Sequence, residues 1–362
     1  MNIVIDARIV NSSTGTYVER LLHYLQIIDS VNNYTILIPS KDKDYWKPTA
    51  ANFSVKFADF PNYSLAEQVG FNRMLQQLNP DLVHFCMPQQ PILYKGKKVT
   101  TFHDLTLLKV YNTDKNWLMF KIKQQIGRHV FKSAVKNSTY IISPTEYTKK
   151  DLVDTFKTDS DKIIVTYESA EIKQNGVEEY PVPFKKFLYN VGRHSEYKNI
   201  KRLAAAHQKL LTKYPDLGLV LANYPGKDAD ANKEYFKSKD YKNILFTDRL
   251  KLSQRDWLYQ NCEALVFPSL YEGFGLPGLE AMANHAPLIS STATCLPEVY
   301  GDGAIYFDPL NVNDMADKID QVLSNNELRT NLIERGQAQY SKYSWEKMAR
   351  ETHAVYMKAL DK

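Results

Sequence analysis

Two carboxylates, Glu272 and Glu280, stand eight positions apart in the run PSLYEGFGLPGLEAMA at residues 268–283. Glycines and a proline fill the space between them. Pro277 suits the first position of a helix, because its fixed φ is already helical and its missing N–H would be unpaired there anyway. The apolar run Ala264-Leu265-Val266-Phe267 just before reads as a buried strand. Strand, glycine turn and helix start therefore follow one another, with an acid at each end of the turn. Unpaired amides and the positive end of the helix dipole favour an anion at such a place. Carboxylates, in turn, accept hydrogen bonds from the paired hydroxyls of a sugar ring. A ligand that satisfies both demands carries phosphate and sugar, which points to a nucleotide-sugar.

The same residues contain Gly273-Phe274-Gly275-Leu276-Pro277-Gly278, a literal G-x-G-x-x-G, with Glu298 twenty residues beyond it. In a dinucleotide-binding fold that acid ends the next strand. Here the run Pro287–Ser291 closes on hydroxyls, and Glu298 follows Pro297 in what reads as a new helical turn. A nicotinamide or flavin site is therefore not expected.

Three further constellations carry chemistry. Asn190-Val191-Gly192-Arg193 ends a strand in a turn, and Lys198 follows closely. Two cations at one strand end suit a departing diphosphate, which arginine can engage bidentately. Taken alone, the pair reads equally well as a solvated charged loop. His103-Asp104 follows a strand ending at Phe102. A lone histidine is more often structural than catalytic, but a place opposite Glu272 across a cleft argues for chemistry. The first turn, Asn11–Thr16 after Asp6-Ala7-Arg8, contains Gly15, which would let the backbone approach a phosphate or sugar. An ordinary loop is the alternative.

Residues 114–136 carry Lys115, Lys121, Lys123, Arg128, Lys132 and Lys136 against the single Asp114, interleaved with Trp117, Phe120, Ile122, Ile126, Val130 and Phe131. Such a helix can lie on an anionic membrane surface. It can also pack its apolar face into its own domain and leave the lysines in water. No motif supports nucleic acid binding.

The elements that must position these residues alternate as short apolar strands and longer helical patterns, so the class is α/β with parallel sheets. At 362 residues, with 44% hydrophobic and 24% charged residues and a net charge of +5, two ordinary globular domains are expected. Strands are predicted at Ile3–Asp6, Tyr34–Ile38, Leu82–Phe85, Lys98–Phe102 and Tyr140–Ser143. The pattern restarts at Phe187–Val191 and continues with Leu217–Ala222, Asn243–Phe246, Ala264–Phe267, Leu288–Ser290 and Ala304–Phe307. Helices are predicted at Tyr17–Asp29, Leu65–Leu78 and Asn116–Val135. Glu171–Pro183 is the linker candidate, and Ser344 is an N-cap for a final helix. The domains run 1–170 and 171–343, with a C-terminal helix over 344–362 expected to pack back on the first. Cys86, Cys262 and Cys295 lie far apart and without ligand spacing, so reduced buried thiols are expected rather than disulfides or zinc. Met1–Asp6 reads as a strand rather than a signal peptide, and no uncharged run approaches the length of a membrane span. A cytoplasmic location follows as the expectation.

With these residues in order, the chain resembles glycosyltransferase family four along nearly its whole length. The resemblance rests on Ile5-Asp6-Ala7-Arg8, Glu67-Gln68, Asp81-Leu82-Val83-His84, His103-Asp104-Leu105 and Ser143–Leu152. In the second half it rests on Val191-Gly192-Arg193 with Lys198-Asn199, on Phe267–Met282, on Leu296-Pro297-Glu298-Val299 and on Gly301-Asp302. It implies a GT-B fold, two Rossmann-like domains facing across a cleft, and transfer from a nucleotide-sugar with retention of configuration. By position, Arg193 and Lys198 would hold the donor diphosphate beside Gly192, with Gly15 bordering it from the other domain. Glu272 would contact donor-sugar hydroxyls, and Glu280 the ribose diol. The amides of the Gly273, Phe274, Gly275 and Leu276 segment would lie at sugar and phosphate, and His103 near the reacting carbon. Catalysis would fall to Glu272, His103, Arg193 and Lys198, with no metal and no cofactor. Family members often carry glycine where this chain has His285 and Asp248, and another near Ala222-Asn223, which leaves the base open. The opening and the Glu67-Gln68 segment resemble mannosyltransferases of surface polysaccharide assembly, so GDP-mannose is the first expectation and a UDP-sugar the second. The acceptor would be a glycan or polyprenyl-linked glycan at the inner face of the plasma membrane. A sugar-nucleotide-binding protein without transfer activity is the alternative of a different class.

Overall fold

A computed structural model describes residues 1–12, 14–110, 117–171, 176–222 and 226–362. The chain separates into two compact units, one of residues 1–109, 118–168 and 344–362, the other centred on residues 169–343. Residues 172–175 of the expected linker lie outside the described residues, and 176–183 form neither helix nor strand.

The first unit is built on β1 (Asn2–Asp6), β2 (Asn33–Ile38), β3 (Phe53–Phe57), β4 (Leu82–Phe85), β5 (Lys98–Thr101), β6 (Tyr140–Ser143) and β7 (Ile163–Val165). They form a parallel seven-stranded sheet in the order β3-β2-β1-β4-β5-β6-β7. The second unit holds β8 (Lys186–Val191), β9 (Leu217–Ala222), β10 (Ile244–Phe246), β11 (Ala264–Phe267), β12 (Leu288–Ser291) and β13 (Ala304–Phe307). These make a parallel six-stranded sheet ordered β10-β9-β8-β11-β12-β13. Central strands such as β4, β9 and β11 are buried along their whole length. Continuous apolar runs, rather than alternation, are what helices on both faces of a parallel sheet require.

The sequence reading missed β3 and β7. Strand β3, FSVKF, is an edge strand with mostly accessible side chains, and β7 has only three residues, so neither gives a long apolar run. The predicted helix over 65–78 begins with a wide π turn at Glu67–Phe71 before Asn72–Leu78. That turn buries Glu67, which meets Arg8 from the loop after β1. Arg8 Nε and Nη2 each reach an Asp6 carboxylate oxygen at 2.8 Å, Nη2 also reaches Glu67 Oε1 at 3.0 Å, and Nη1 donates to the Phe60 carbonyl at 2.8 Å. The second Glu67 oxygen accepts from the Tyr63 amide at 2.8 Å. Burial pushes the Glu67 carboxyl up, and Arg8 works against that shift. The Ile-Asp-Ala-Arg opening and Glu67 thus make one self-satisfied charge cluster that ties the first loop to the helix start.

Ser344 caps the last helix, Trp345–Leu360, by accepting from the Lys347 amide at 3.3 Å. This helix belongs to the first unit and packs along Gly15–Ile28. Its Tyr356 hydroxyl lies 2.6 Å from His84 Nδ1, and its His353 lies 2.9 Å from Asp29.

Replacing Arg8 by Met leaves two buried carboxylates without a counter-charge, and breaking a buried pair in this way costs about 3–5 kcal/mol. Arg8→Met is expected to lower the urea midpoint of the first unit accordingly; an unchanged midpoint would contradict the assignment.

Candidate active site

In each sheet the strand order reverses once, between β1 and β4 in the first and between β8 and β11 in the second. At such a point the connections leave toward opposite faces, and a crevice opens outside the carboxyl ends of the strands. Gly192, Arg193, Lys198 and Glu272 follow β8 and β11, the two strands at the reversal in the second unit.

After β8, Gly192 takes a φ of +139°, a left-handed value that suits glycine, and a Cβ there would meet open space. Arg193 follows, exposed and without an ion pair among the described residues. The short turn Glu196–Lys198 then carries Lys198 back toward the loop after β11. Asn199 fastens that approach: in a left-handed conformation of φ +61°, its amide donates to the carbonyls of Pro268 at 3.0 Å and Pro309 at 2.7 Å. The Leu270 amide adds a bond to the Tyr197 carbonyl at 2.8 Å. The result is an ion pair between Lys198 Nζ and Glu272 Oε1 at 2.6 Å, with side-chain exposures of only 15% and 13%. A third loop steadies Glu272 from beyond β12, where its amide donates to Thr294 Oγ1 at 3.1 Å.

The helix Leu276–Ala283 starts behind Glu272, with Pro277 in its first turn and Gly275 as N-cap. Gly275 has φ +93°, and a Cβ there or at Gly278 would collide with the Tyr300 ring, whose hydroxyl donates to the Gly275 carbonyl at 2.5 Å. The glycine spacing of the run is therefore accounted for by a buried tyrosine as well as by any ligand. Phe274 is buried and meets Tyr343 edge-on at 5.9 Å. Glu298 lies in the helix Leu296–Tyr300 and not at a strand end, as its position after Pro297 predicts.

Glu280 points into a separate cluster. One of its oxygens pairs with Arg255 Nη2 at 3.0 Å and the other accepts from the Tyr259 hydroxyl at 2.8 Å. Both partners come from the helix Leu252–Asn261, four residues apart and so on one face. Burial lowers the Arg255 pKa, but Glu280 together with Tyr259, Tyr189 and Asp256 raises it above its ordinary value. Arg255 Nε and the Tyr189 hydroxyl beside them are buried without a hydrogen-bond partner among the described residues. Sequence reasoning missed Arg255, Tyr259 and Thr294. The available signal was the i, i+4 spacing of Arg255 and Tyr259 on a helix facing the sheet.

In the first unit, His103 sits just past β5, mostly buried. Its Nδ1 lies 3.1 Å from Glu168 and its Nε2 lies 3.0 Å from the Cys86 carbonyl. Both neighbours are acceptors, and a protonated ring would donate to each. Burial opposes that charge, but the Glu168 hydrogen bond and charge and the Cys86 carbonyl together raise the His103 pKa above its ordinary value. Gly15 is buried at the start of the helix Gly15–Ile28, where a Cβ would collide with the Val10 carbonyl. Its small size is needed by its own loop. All three cysteines are buried and free. Asp114, Lys115 and Asn116 of the basic stretch, Asn223, and Ser13 of the first turn lie outside the described residues. Among the described residues no group of acids, histidines and cysteines is arranged to hold a metal.

Comparison with known proteins supports the assignment of both units. Residues 16–171 match the family described as Glycosyltransferase Family 4, and residues 178–339 match Glycosyl transferases group 1. The chain is 31% identical over 315 residues to an uncharacterised glycosyltransferase of Methanocaldococcus jannaschii, covering 82% of this chain and 80% of that protein. It is 27% identical over 277 residues to O-antigen chain mannosyltransferase B of Escherichia coli, covering 72% and 70% of the two chains. Among solved structures, sucrose-phosphate synthase from Thermosynechococcus elongatus matches with a TM-score of 0.78 over 99% of this chain and 98% of that one, a likeness of fold alone at 16% identity. With two parallel Rossmann-like sheets and these matches, the chain belongs to glycosyltransferase family four and has the GT-B fold.

Proposed function

We propose that this glycosyltransferase moves mannose from GDP-mannose, with retention of configuration, to a glycan or lipid-linked glycan. The observation that carries the reading is the Lys198–Glu272 pair at the β8/β11 reversal, with Glu280 fixed eight residues further on. Lys198 and Arg193 bind the donor diphosphate next to the open backbone of Gly192. Their charge takes the place of a metal as the sugar–phosphate bond breaks. Once Lys198 turns to phosphate, Glu272 is released to accept from the donor-sugar hydroxyls, and the amides of Gly273 to Leu276 lie along sugar and phosphate. Glu280, aligned by Arg255 and Tyr259, accepts from the ribose hydroxyls.

In front-face transfer the acceptor oxygen bonds to the anomeric carbon on the side the phosphate leaves. Its proton passes to a departing phosphate oxygen. His103 is not the base in this scheme, since both of its nitrogens face acceptors within the first unit. Its proposed part in transfer is that of a positive charge supported by Glu168. Mannose as the sugar is supported by the name of the Escherichia coli relative. A UDP-sugar is the alternative, because Asp248 and His285 stand where the family often has glycine. No described helix is long and apolar enough to cross a membrane. We read the basic helix Trp117–Asn137 as a peripheral contact with the cytoplasmic face of an anionic membrane.

Three measurements test this reading. A thermal-shift panel is expected to show the largest stabilisation with GDP-mannose, since a ligand binding only the native state raises its stability; a shift with UDP-sugars alone would move the donor to uridine. Glu272→Ala and Lys198→Ala are expected to lower kcat by about a hundredfold or more, the usual loss for a group that stabilises developing charge. Arg255→Met instead is expected to raise the donor KM about tenfold with kcat little changed, because it loosens a residue that binds ribose in ground and transition states alike. Wild-type rates in all three variants would refute the site, and nucleotide binding without any glycoside product would leave a binding protein.

His103 gives a pH test. Its folded pKa lies above the ordinary 6.5, so its charge and its contribution to stability are complete below that value and are lost as pH rises through the raised pKa. Transfer is expected to fall along the same alkaline limb, and His103→Gln to remove that limb while lowering the plateau. A wild-type profile that does not fall on the alkaline side would show that the imidazolium plays no part.

A further inference from the structure

The loop after β11, which carries Glu272, is gripped by one stretch of chain that follows β12. Ser291 Oγ donates to the Ser269 carbonyl at 2.6 Å near the start of the loop, and the Tyr300 hydroxyl holds the Gly275 carbonyl at its end. Between them, Glu272 is held by both of its own main-chain groups. Its amide donates to Thr294 Oγ1 at 3.1 Å, and its carbonyl accepts from Cys295 Sγ at 3.3 Å. Thr294 Oγ1 lies 4.0 Å from Cys295 Sγ, a long contact that joins the two bonds into a ring.

The chemistry of the groups fixes the direction of that ring. An amide only donates and a carbonyl only accepts, so the hydroxyl that receives the amide hydrogen turns its own toward sulfur. The thiol then gives its single hydrogen to the carbonyl. This needs a protonated thiol: Cys295 is fully buried, and burial together with the Glu272 charge pushes its pKa well above the ordinary value. Thr294 meanwhile holds φ +54°, a left-handed conformation that a β-branched residue rarely adopts. Glycine would fit that backbone without strain, but would supply no hydroxyl. Strain of this kind persists where the surroundings over-determine it, and it clusters at functional sites.

Fixing the N–H and the C=O of one residue orients the peptide planes on both sides of its Cα, and with them the bond that leads to the side chain. We infer that Thr294 and Cys295 are positioning residues for transfer: through the main chain they set the direction in which Glu272 carries its carboxylate toward Lys198 and the donor sugar. The inference rests on the reading of Glu272 as a donor-sugar contact and extends it to the loop after β12.

The test measures kcat and donor KM separately for hydrolysis by the full chain, with GDP-mannose and UDP-glucose as donors, and the melting temperature of every variant. Thr294→Val removes the hydroxyl and keeps the shape; kcat is expected to fall about tenfold with KM within about twofold of wild type. Thr294→Gly is expected to show the same fall, and because it accepts the left-handed backbone it serves where the valine variant does not fold. Thr294→Ser keeps the hydroxyl and is expected to stay within about twofold of wild type. Cys295→Ala, which loses a weaker sulfur bond, is expected to lower kcat about threefold. In a Glu272→Ala background, Thr294→Gly is expected to add no further loss, since both changes act on one group. A lowered melting temperature with unchanged kcat, a serine variant as slow as the glycine one, or an undiminished further loss in the Glu272→Ala background overturns the inference. Wild-type kcat in Thr294→Gly and Cys295→Ala beside a slow Glu272→Ala sinks the positioning role and leaves the reading of Glu272 standing. Glu272→Ala at the wild-type rate sinks both.

Discussion

A lysine and a glutamate, both largely withdrawn from water, meet at 2.6 Å where β8 and β11 end. Neither would be stable there alone, because a buried charge without a partner costs several kcal/mol. Each is nevertheless the type a nucleotide-sugar needs, a cation for diphosphate and a carboxylate for hydroxyls. In the pair each charge neutralises the other within the protein. Asn199, Tyr197 and Thr294 hold the loops that carry the pair. Much of the local architecture after β8, β11 and β12 serves this one contact.

Comparison with the other buried charge clusters separates ions whose bonding is satisfied from ions with bonding capacity left. Around Arg8, guanidinium and carboxylates are satisfied by Asp6, Glu67, the Phe60 carbonyl and the Tyr63 amide. Nothing in that cluster invites a ligand, and its role is to lock a loop to a helix. Glu280 is intermediate. Arg255 and Tyr259 each take one of its oxygens and set the carboxylate plane, yet a carboxylate has about four acceptor sites and two are used here. The remaining acceptor capacity is what a ribose diol would take. Thus the residues that most resemble the family by sequence fall into two physical kinds, those that build the frame and those left with bonding capacity.

The strand-end residues were legible because parallel sheets write their strands as apolar runs and place chemistry in the residues that follow. Gly192, Arg193, Glu272 and the proline-started helix were all reached that way. Less legible were contacts made across long sequence separations. His103 pairs with Glu168, sixty-five residues away, and no local pattern announces such a pairing. Arg255 was hidden for the same reason, its partner lying on another helix. Strand β3 was missed because an accessible edge has no apolar run to detect. His285 shows the converse, a sequence oddity that structure explains: it holds φ +59° just past the helix Leu276–Ala283, the left-handed turn for which glycine is the usual choice.

The final helix bears on the first unit's strand ends through a buried polar chain. Tyr356 reaches His84 Nδ1 at 2.6 Å, His84 Nε2 reaches Thr101 at 2.8 Å, and Thr101 reaches the Tyr17 hydroxyl at 3.0 Å. Tyr17 then presents its ring to His103, edge to face at 4.8 Å. Burial depresses the His84 pKa to about 3, so its ring is neutral and offers one donor and one acceptor to its two hydroxyl partners. Each group in this chain is buried, and a buried polar atom left unpaired costs about 1–3 kcal/mol. Removing the helix would orphan His84 first and then loosen the Tyr17 ring against which His103 rests. A segment more than two hundred and fifty residues downstream of His84 in sequence is therefore part of the seat of His103 just after β5.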